Sequence, residues 1–221
     1  MLMRDTEIKA AVDAGEIVIR PYEPNHLQGA SYDLCVGGEA FVSNSDDKIM
    51  LSPKTAVGLH IEPWDFALVI TKESVKLPLD ISCVIGMRSS LARKGLMLLA
   101  GLQIDPGFEG HLRFGLYNAS PRKISLFYSD DLCMIEFHRL SGPVERAQPP
   151  IQDLVEGRIP ESDRDYLSSL ETTSLSELSK NVQIMSKSVE KLTNQIRWIT
   201  IIVVPALVAI LVGVIVNIFS K

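Results

Sequence analysis

Residues Gly86–Asn118, GMRSSLARKGLMLLAGLQIDPGFEGHLRFGLYN, carry the most informative polar pattern of this 221-residue chain. Arg88 and Arg93 are separated by four residues, with Ser89-Ser90 directly after the first arginine. Guanidinium groups supply positive charge and forked donors, and hydroxyls add further donors, which suits a polyanion such as a phosphate chain. Asp105 follows an apolar run and precedes Pro-Gly, so it offers a carboxylate on a tight turn. A phosphate clamp with a carboxylate nearby predicts a nucleotide pocket.

A simpler interpretation of the same residues remains open at this level. Ser89 or Ser90 can cap one helical turn while the arginines are solvated, and Asp105-Pro106-Gly107 can be an ordinary turn. Single turn signals are common, so composition alone favours the simpler interpretation. The order and spacing of several motifs along the chain favour the nucleotide pocket.

Three motifs in one order resemble those of the dCTP deaminase and dUTPase family. The first is Ala30–Leu34 (ASYDL), the second is Gly86–Leu96 (GMRSSLARKGL), and the third is Ile104–Gly110 (IDPGFEG). The resemblance covers about residues 1–142. It implies a distorted, jelly-roll-like barrel of the dUTPase type and a homotrimer with its active sites between subunits.

Short apolar runs separated by turn signals also predict, without the resemblance, an all-β barrel or sandwich. Residues 3–14 read as a short helix, and breakers such as Gly37-Gly38 and Pro106-Gly107 separate the runs. The predicted strands are Ile17–Ile19, Tyr32–Val36, Ala40–Val42, Ala56–Ile61, Ala67–Thr71, Ile81–Ile85, Leu96–Leu99, Leu112–Tyr117, Ile124–Tyr128 and Leu132–Phe137.

The resemblance also implies which residues bind a nucleotide. In the family, the arginines and serines of the second motif bind the triphosphate and help to position the base. Asp105 stands where the deoxyribose is contacted and, in dUTPases, where water is oriented, so it is catalytic only if the protein is a hydrolase. Phe108 stands where an aromatic ring packs near the sugar, and Gly101 where a small residue leaves room for the base. The implied nucleotide-binding set is Arg88, Ser89, Ser90, Leu91, Ala92, Arg93, Gly101, Asp105, Phe108, Arg113 and Gly115.

The chain departs from the family at the residue that deamination needs. Deaminases use a glutamate after the third motif to shuttle protons while water attacks C4 of cytosine, and the aligned residue here is Gly115. General acid–base groups contribute typically about 10²–10⁴-fold, so a deaminase without one should be crippled. Glu109 and Glu136 are the alternative carboxylates. Met134 replaces a phosphate-contacting glutamine, and the family's C-terminal lid is not recognisable after Pro143.

Charge and cysteine usage limit the partners. A net charge of −5 argues against general nucleic-acid binding, which usually needs a basic face. Cys35, Cys83 and Cys133 are far apart and form no CxxC pair, so we expect reduced core residues, no zinc and no protein-bound metal. The only metal expected is Mg²⁺ carried on a nucleotide triphosphate such as dCTP or dUTP.

The remaining chain divides into three predicted segments. Residues 143–166 are rich in proline and charge and read as a linker with little structure. Residues 167–197 carry apolar side chains alternately three and four apart, which predicts a coiled coil, with an amphipathic helix on a membrane surface as the alternative. That series is Leu175, Leu178, Val182, Met185, Val189, Leu192, Ile196 and Ile199.

Residues 198–219 contain no charged side chain and predict a transmembrane helix. A run of this length is enough to cross a hydrocarbon core roughly 30 Å thick. Lys187, Lys191 and Arg197 precede it and Lys221 alone follows, so the positive-inside rule places the β domain in the cytoplasm of a single-span, C-terminally anchored membrane protein.

Three functions are therefore open from the sequence. The first is a membrane-anchored protein that binds or senses dCTP, dUTP or a related deoxynucleotide without turnover. The second is an enzyme, either a dUTP or dCTP pyrophosphatase using Asp105 or a dCTP deaminase. The third is a trimeric membrane scaffold, although a scaffold has no need of the clamp at Arg88 and Arg93.

Overall fold

A computed structural model describes residues 1–43, 45–147, 149–163 and 175–198, together with the single residues 201, 205 and 212. The chain divides into two units, Met1–Ser174 and Leu175–Lys221. The first unit is mostly β, which confirms the predicted class of the N-terminal domain, and the described part of the second contains one long helix.

The described part of the first unit contains eleven strands. The strands are β1 (Val18–Arg20), β2 (Tyr32–Val42), β3 (Ser45–Met50), β4 (Leu59–Ile61), β5 (Phe66–Lys76), β6 (Ile81–Met87), β7 (Leu96–Leu99), β8 (Gln103–Ile104), β9 (Glu109–Asn118), β10 (Ile124–Leu126) and β11 (Asp131–Arg139). The helices are α1 (Asp5–Asp13), a 3₁₀ helix (Pro24–His26), α2 (Ser89–Ala92) and α3 (Gln152–Val155).

Nine of these strands form one curled antiparallel sheet in the order β7-β9-β5-β2-β11-β6-β8, with β1 added to β5 and β3 added to β2. The strands β10 and β4 pair separately. Alternate residues face the interior, as in β6, where Ile81, Cys83 and Ile85 are buried. The central strand β2 is buried along nearly its whole length. The apolar runs that predicted strands therefore form one core inside the curled sheet.

The break predicted at Gly37-Gly38 is wrong, because both glycines lie inside the continuous strand β2. The register of β2 against β5 shifts between Val36 and Ala40. A Cβ on Gly37 would lie 2.5 Å from the carbonyl oxygen of Thr71, so only glycine allows the two backbones to approach this closely. A glycine in a strand marks a bulge here, whereas the sequence pattern suggested a turn.

The segment after the sheet has more structure than the predicted linker. Leu154 of α3 and Ile159 are 4% and 6% exposed and pack with Phe41, Leu68 and Ile70 into a second apolar cluster. A Cβ on residue 110, whose φ is +140°, would lie 3.0 Å from the carbonyl carbon of Leu154, so glycine there lets the segment lie flat on β9. The two apolar side chains of Leu154 and Ile159 therefore dock this segment on the sheet.

The second unit contains the helix α4 (Leu175–Trp198), which confirms that the heptad region is helical over these residues. Its seam residues Val182, Met185, Val189, Leu192 and Ile196 are 57–66% exposed in the single chain. Residues 164–174 of the predicted linker and coiled coil lie outside the described residues. Pairing of this seam with another helix remains a prediction.

The predicted location in a membrane is corrected by the structure. Across the described ranges, no helix is both long enough and apolar enough to span a bilayer. The helix α4 has the length, but it carries Lys187, Glu190 and Lys191 along its course, and a charged side chain costs about 2.5–3.5 kcal/mol at the centre of a membrane helix. The predicted span, residues 198–219, lies outside the described residues apart from 198, 201, 205 and 212.

Candidate functional site

The second motif forms the turn that joins β6 to β7. Arg88 has extended backbone angles and precedes the single helical turn α2, which is anchored by buried Leu91. Gly95 ends the turn with φ +91°, and a Cβ there would lie 2.8 Å from Ser120 Cβ. The motif therefore needs glycine at this position for both backbone and packing reasons.

Arg88 joins the first motif to the second. Its guanidinium donates from Nη1 to Asp33 Oδ2 and lies 3.4 Å from Asp131 Oδ2. Asp33 is 5% exposed, so this ion pair fixes the arginine against the sheet. Ser89, Ser90 and Arg93 are exposed on the outer side of the turn. The clamp thus has one anchored arginine and three donor side chains facing outward.

The third motif forms the turn between β8 and β9. Gly107 has φ +80°, and the Phe108 amide donates to the Asp105 carbonyl at 3.2 Å, as a tight turn requires. Gln103 Nε2 donates to Asp105 Oδ1 at 2.7 Å and orients the exposed carboxylate. Asp105 therefore lies on a tight turn with an oriented carboxylate, and its role in a site stays a prediction.

A cavity of about 430 Å³ lies beside this turn. It brings together five of the predicted residues, namely Gly101, Asp105, Phe108, Arg113 and Gly115. Arg88, Ser89, Ser90, Leu91, Ala92 and Arg93 are all described, and they do not line it. A single chain therefore supplies the sugar and base side of the predicted site, while its phosphate clamp lies elsewhere on the same unit.

Gly115 sits in the middle of β9, opposite Leu68 of β5 and Leu99 of β7. A Cβ at this position would lie 2.8 Å from Phe66 Cζ and 3.3 Å from Leu99 Cβ. The Phe66 ring therefore fills the space into which a side chain at residue 115 would extend. The position predicted to align with the deaminase glutamate therefore faces the apolar side chains of Phe66 and Leu99.

The segment after residue 148 forms the outer wall of the cavity. Pro149, Pro150, Ile151 and Leu154 line it, and Asp163 closes it by pairing with Arg113, with 2.6 Å between Oδ2 and Nε. The sequence predicted an unstructured linker in place of a lid. The structure instead places a docked segment over the pocket.

The two alternative carboxylates predicted from the sequence have different surroundings. Glu109 lines the cavity, but its Oε2 lies 2.8 Å from the ammonium of Lys76. Glu136 of β11 lies 3.7 Å from His138 Nε2 and is absent from the cavity wall formed by described residues. Met134, at the position of the family's glutamine, packs over Gly86 with 3.3 Å between its Cε and the place of a Cβ.

Two parts of the site escaped sequence reasoning. Phe66 comes from a strand distant in sequence, so no local pattern links it to Gly115. The apolar spacing of Ile151, Leu154 and Ile159 was a usable signal for the docked segment, but the surrounding prolines and charges concealed it.

Comparisons with known proteins match the part of the chain that contains the three motifs. A family model described as dCTP deaminase-like matches residues 2–140. The chain is 40% identical over 145 residues to a dCTP deaminase of Thermococcus kodakarensis, an alignment covering 66% of this chain and 87% of that protein. It is 32% identical over 154 residues to a dUMP-forming dCTP deaminase of Aquifex aeolicus, covering 66% and 86% of the two.

The fold agrees with this assignment. The crystal structure of the 2'-deoxycytidine 5'-triphosphate deaminase of Agrobacterium tumefaciens superposes with a TM-score of 0.51 at 22% identity, covering 63% of this chain and 48% of that one. The match spans about half of the Agrobacterium chain and concerns the fold alone. From the family match over residues 2–140, the three motifs and the curled sheet, the chain belongs to the dCTP deaminase-like family.

Proposed function

We propose that this protein binds a deoxynucleoside triphosphate, dCTP or dUTP, without deaminating it. The observation that carries the proposal is the pair formed by Gly115 and Phe66. Glycine has no group to move a proton, and a larger residue there would require the Phe66 ring to shift. Loss of such a group removes typically about 10²–10⁴-fold in rate. The sequence motifs that the family uses for phosphate and sugar are retained in the chain.

Binding is supported by the chemistry that remains. Arg88, Ser89, Ser90 and Arg93 supply charged and hydroxyl donors of the kind that phosphate oxygens accept. Asp105 is oriented by Gln103 at the mouth of the cavity, where it can accept from a sugar hydroxyl. The two relatives compared above are named for deamination of dCTP, which makes this nucleotide the first ligand to test.

Calorimetric titration of the full chain with dCTP, dUTP, dTTP and dCMP tests the proposal, with ammonia release from dCTP followed in parallel. We expect saturable binding of a triphosphate and no ammonia above the uncatalysed background. Asp105→Asn should weaken binding, whereas Glu136→Gln, outside the cavity, should not. A folded chain that binds none of the four, or that releases ammonia steadily, contradicts it.

We also propose that the clamp of one subunit completes the pocket of another. The proposal is supported by the separation of residues 88–93 from the cavity within one chain. Mixing Arg88→Ala chains with Asp105→Ala chains after partial denaturation should restore nucleotide binding in the hybrid oligomers, although each variant alone binds poorly. Absence of any recovery in hybrids of confirmed composition contradicts the shared site.

Hydrolysis of dUTP or dCTP at the α-phosphate is the second candidate. It is favoured by the Asp105 carboxylate, which is held by Gln103 at 2.7 Å and is exposed to water at the pocket edge. Such a carboxylate can orient an attacking water while Mg²⁺ on the triphosphate neutralises its charge. Pyrophosphate release that stops in Asp105→Asn and on removal of Mg²⁺ would establish turnover, and binding without pyrophosphate release returns the function to binding alone.

A further inference from the structure

A second group of chemically reactive side chains lies outside the nucleotide cavity. His26 of the 3₁₀ helix, Cys35 of β2 and Glu73 of β5 each have one donor atom in a cluster, and these atoms lie within 4.8 Å of one another. Neither the three motifs nor the proposed function uses them. They are scattered in sequence, so only the fold brings them together.

The glutamate of this group has an unsatisfied atom in the interior. Glu73 is fully buried, and its Oε2 accepts from the Cys35 amide at 2.8 Å. Its Oε1 has no hydrogen-bond partner among the described residues. Lys72 is close, but its ammonium donates to Glu23 Oε1 at 2.7 Å and to Ser129 Oγ at 3.0 Å. A buried carboxylate oxygen without a protein partner is costly and calls for one, such as a bound cation or an ordered water.

One ring nitrogen of the histidine lies beside Cys35. His26 Nδ1 is 3.9 Å from Cys35 Sγ, and Nε2 is 3.7 Å from Glu23 Oε2, an ion-pair distance beyond hydrogen-bonding range. With bonds of about 2.3 Å to sulfur and 2.0 Å to nitrogen, a tetrahedral zinc ion needs roughly 3.5 Å between these two donors. The sulfur–nitrogen distance is close to this value, whereas donor atoms of the cluster that are up to 4.8 Å apart would move closer on binding.

We propose that His26 Nδ1, Cys35 Sγ and Glu73 Oε1 form a binding site for Zn²⁺ or a similar thiophilic divalent cation. A thiolate and a carboxylate together neutralise a divalent cation. The cation in turn offsets the cost of burying the two anions. Asp131 is the nearest further ligand, since its Oδ1 lies 3.9 Å from Cys35 Sγ, and water can take that position instead.

The donor set of the site determines which cation it fits. Sulfur and imidazole ligands favour Zn²⁺ over Mg²⁺. The ion would join the 3₁₀ helix to two neighbouring strands and so stabilise the fold. It would be structural, because none of its three ligands lines the cavity beside Asp105.

Metal analysis of the purified full chain tests this site. We expect one zinc ion per chain by mass spectrometry, and a near-ultraviolet thiolate-to-metal absorption band after reconstitution with Co²⁺. Cys35→Ser should abolish the band, and His26→Gln and Glu73→Gln should weaken Zn²⁺ binding by at least about tenfold. Zn²⁺ should raise the melting temperature of the wild type and leave that of Cys35→Ser unchanged.

Matched controls are available within the same fold. Cys83→Ser changes another buried thiol, and His60→Gln changes a histidine outside the cluster, so both should retain the metal. If Cys35→Ser does not fold, the half-buried His26 provides the decisive variant. Cobalt bound without a thiolate band, equal binding in His26→Gln, or no binding to the folded wild type overturns the proposal.

Discussion

At the scale of single residues, the packing around Gly115 decides what this position can hold. A Cβ there would lie 2.8 Å from Phe66 Cζ and 3.3 Å from Leu99 Cβ. Phe66 and Gly115 lie on neighbouring strands, with Leu68 of β5 directly opposite Gly115. A side chain at residue 115 therefore requires the Phe66 ring to move.

Gly115→Ala should therefore destabilise the fold by about 1–3 kcal/mol, the usual cost of overpacking a filled core. Replacing the ring with a smaller side chain in Phe66→Leu should offset part of this cost. The double variant should therefore lose less free energy of unfolding than the two single variants lose together. Urea unfolding of all four proteins measures the coupling. Gly101→Ala is the control, since a Cβ there meets no atom within 4 Å and its effect should stay within about 0.5 kcal/mol. Strict additivity would show that Phe66 does not fill the site.

At the scale of elements, a short segment outside the sheet shapes the pocket. The stretch 149–163 buries Leu154 and Ile159 in the second apolar cluster, and Asp163 holds Arg113 across the cavity. Because so few side chains dock this stretch, it should be possible to detach it while the barrel stays folded. The stability of its attachment should depend mainly on those side chains.

Leu154→Ala should loosen this segment, because removing a buried leucine side chain costs about 2–5 kcal/mol. We expect faster proteolysis between residues 143 and 163, weaker nucleotide binding and an intact barrel. Val155→Ala is the matched control on the same helical turn, since Val155 is 38% exposed and should change stability by less than about 0.5 kcal/mol. Equal proteolysis of the two variants would show that Leu154 does not anchor the wall.

A second element-scale contact ties the end of the N-terminal helical region to β11. Arg139 donates to both carboxylate oxygens of Glu16, at 2.7 and 2.9 Å, and to Asp80 at 2.9 Å. Hydrogen bonding to Arg139 holds the pKa of Glu16 below its usual value of 4.5. Because the folded pKa is lowered, the contact stabilises the fold above pH 4.5 and is lost as the pH falls through the folded pKa.

Glu16→Gln should therefore cost up to about 1 kcal/mol near neutral pH, a value discounted for the exposure of this pair to solvent. The difference from the wild type should shrink towards zero below the folded pKa of Glu16, because the wild-type carboxylate is then protonated as well. Chemical unfolding over a series of pH values measures it. A difference that stays constant with pH would exclude the ionised contact as its source.

At the scale of the whole molecule, the family domain is joined to a helix with an uncovered apolar seam. Val182, Met185, Val189, Leu192 and Ile196 keep the heptad spacing and are 57–66% exposed in the single chain. Such a stripe is typical of a helix that pairs with another copy. Most helical stability in proteins comes from the packing of an amphipathic face, so self-association would stabilise α4.

Replacing the seam residues Val189 and Leu192 with aspartate should lower the helical circular-dichroism signal. It should also lower the mass of the oligomer measured by sedimentation, because α4 can no longer pair. The matched control places aspartate at Lys187 and Asn194 on the opposite face, where both measurements should stay unchanged. Repeating the sedimentation analysis with and without dCTP asks whether ligand and helix pairing are coupled, as a sensing role requires. A seam variant with unaltered mass and helicity would exclude the coiled coil.

Residues that are adjacent or periodic in the chain allowed the sequence to predict the family, the β class, the turn carrying Asp105 and the helical heptad. The sequence also predicted that Gly115 stands in place of the family's glutamate. Contacts between distant strands became visible in the structure alone: which motif residues share one cavity, that Phe66 packs against Gly115, that a proline-rich segment docks beside the cavity, and that His26, Cys35 and Glu73 lie close together. These relations join strands far apart in sequence, and their distances are set by sheet curvature and core packing, which no local pattern encodes.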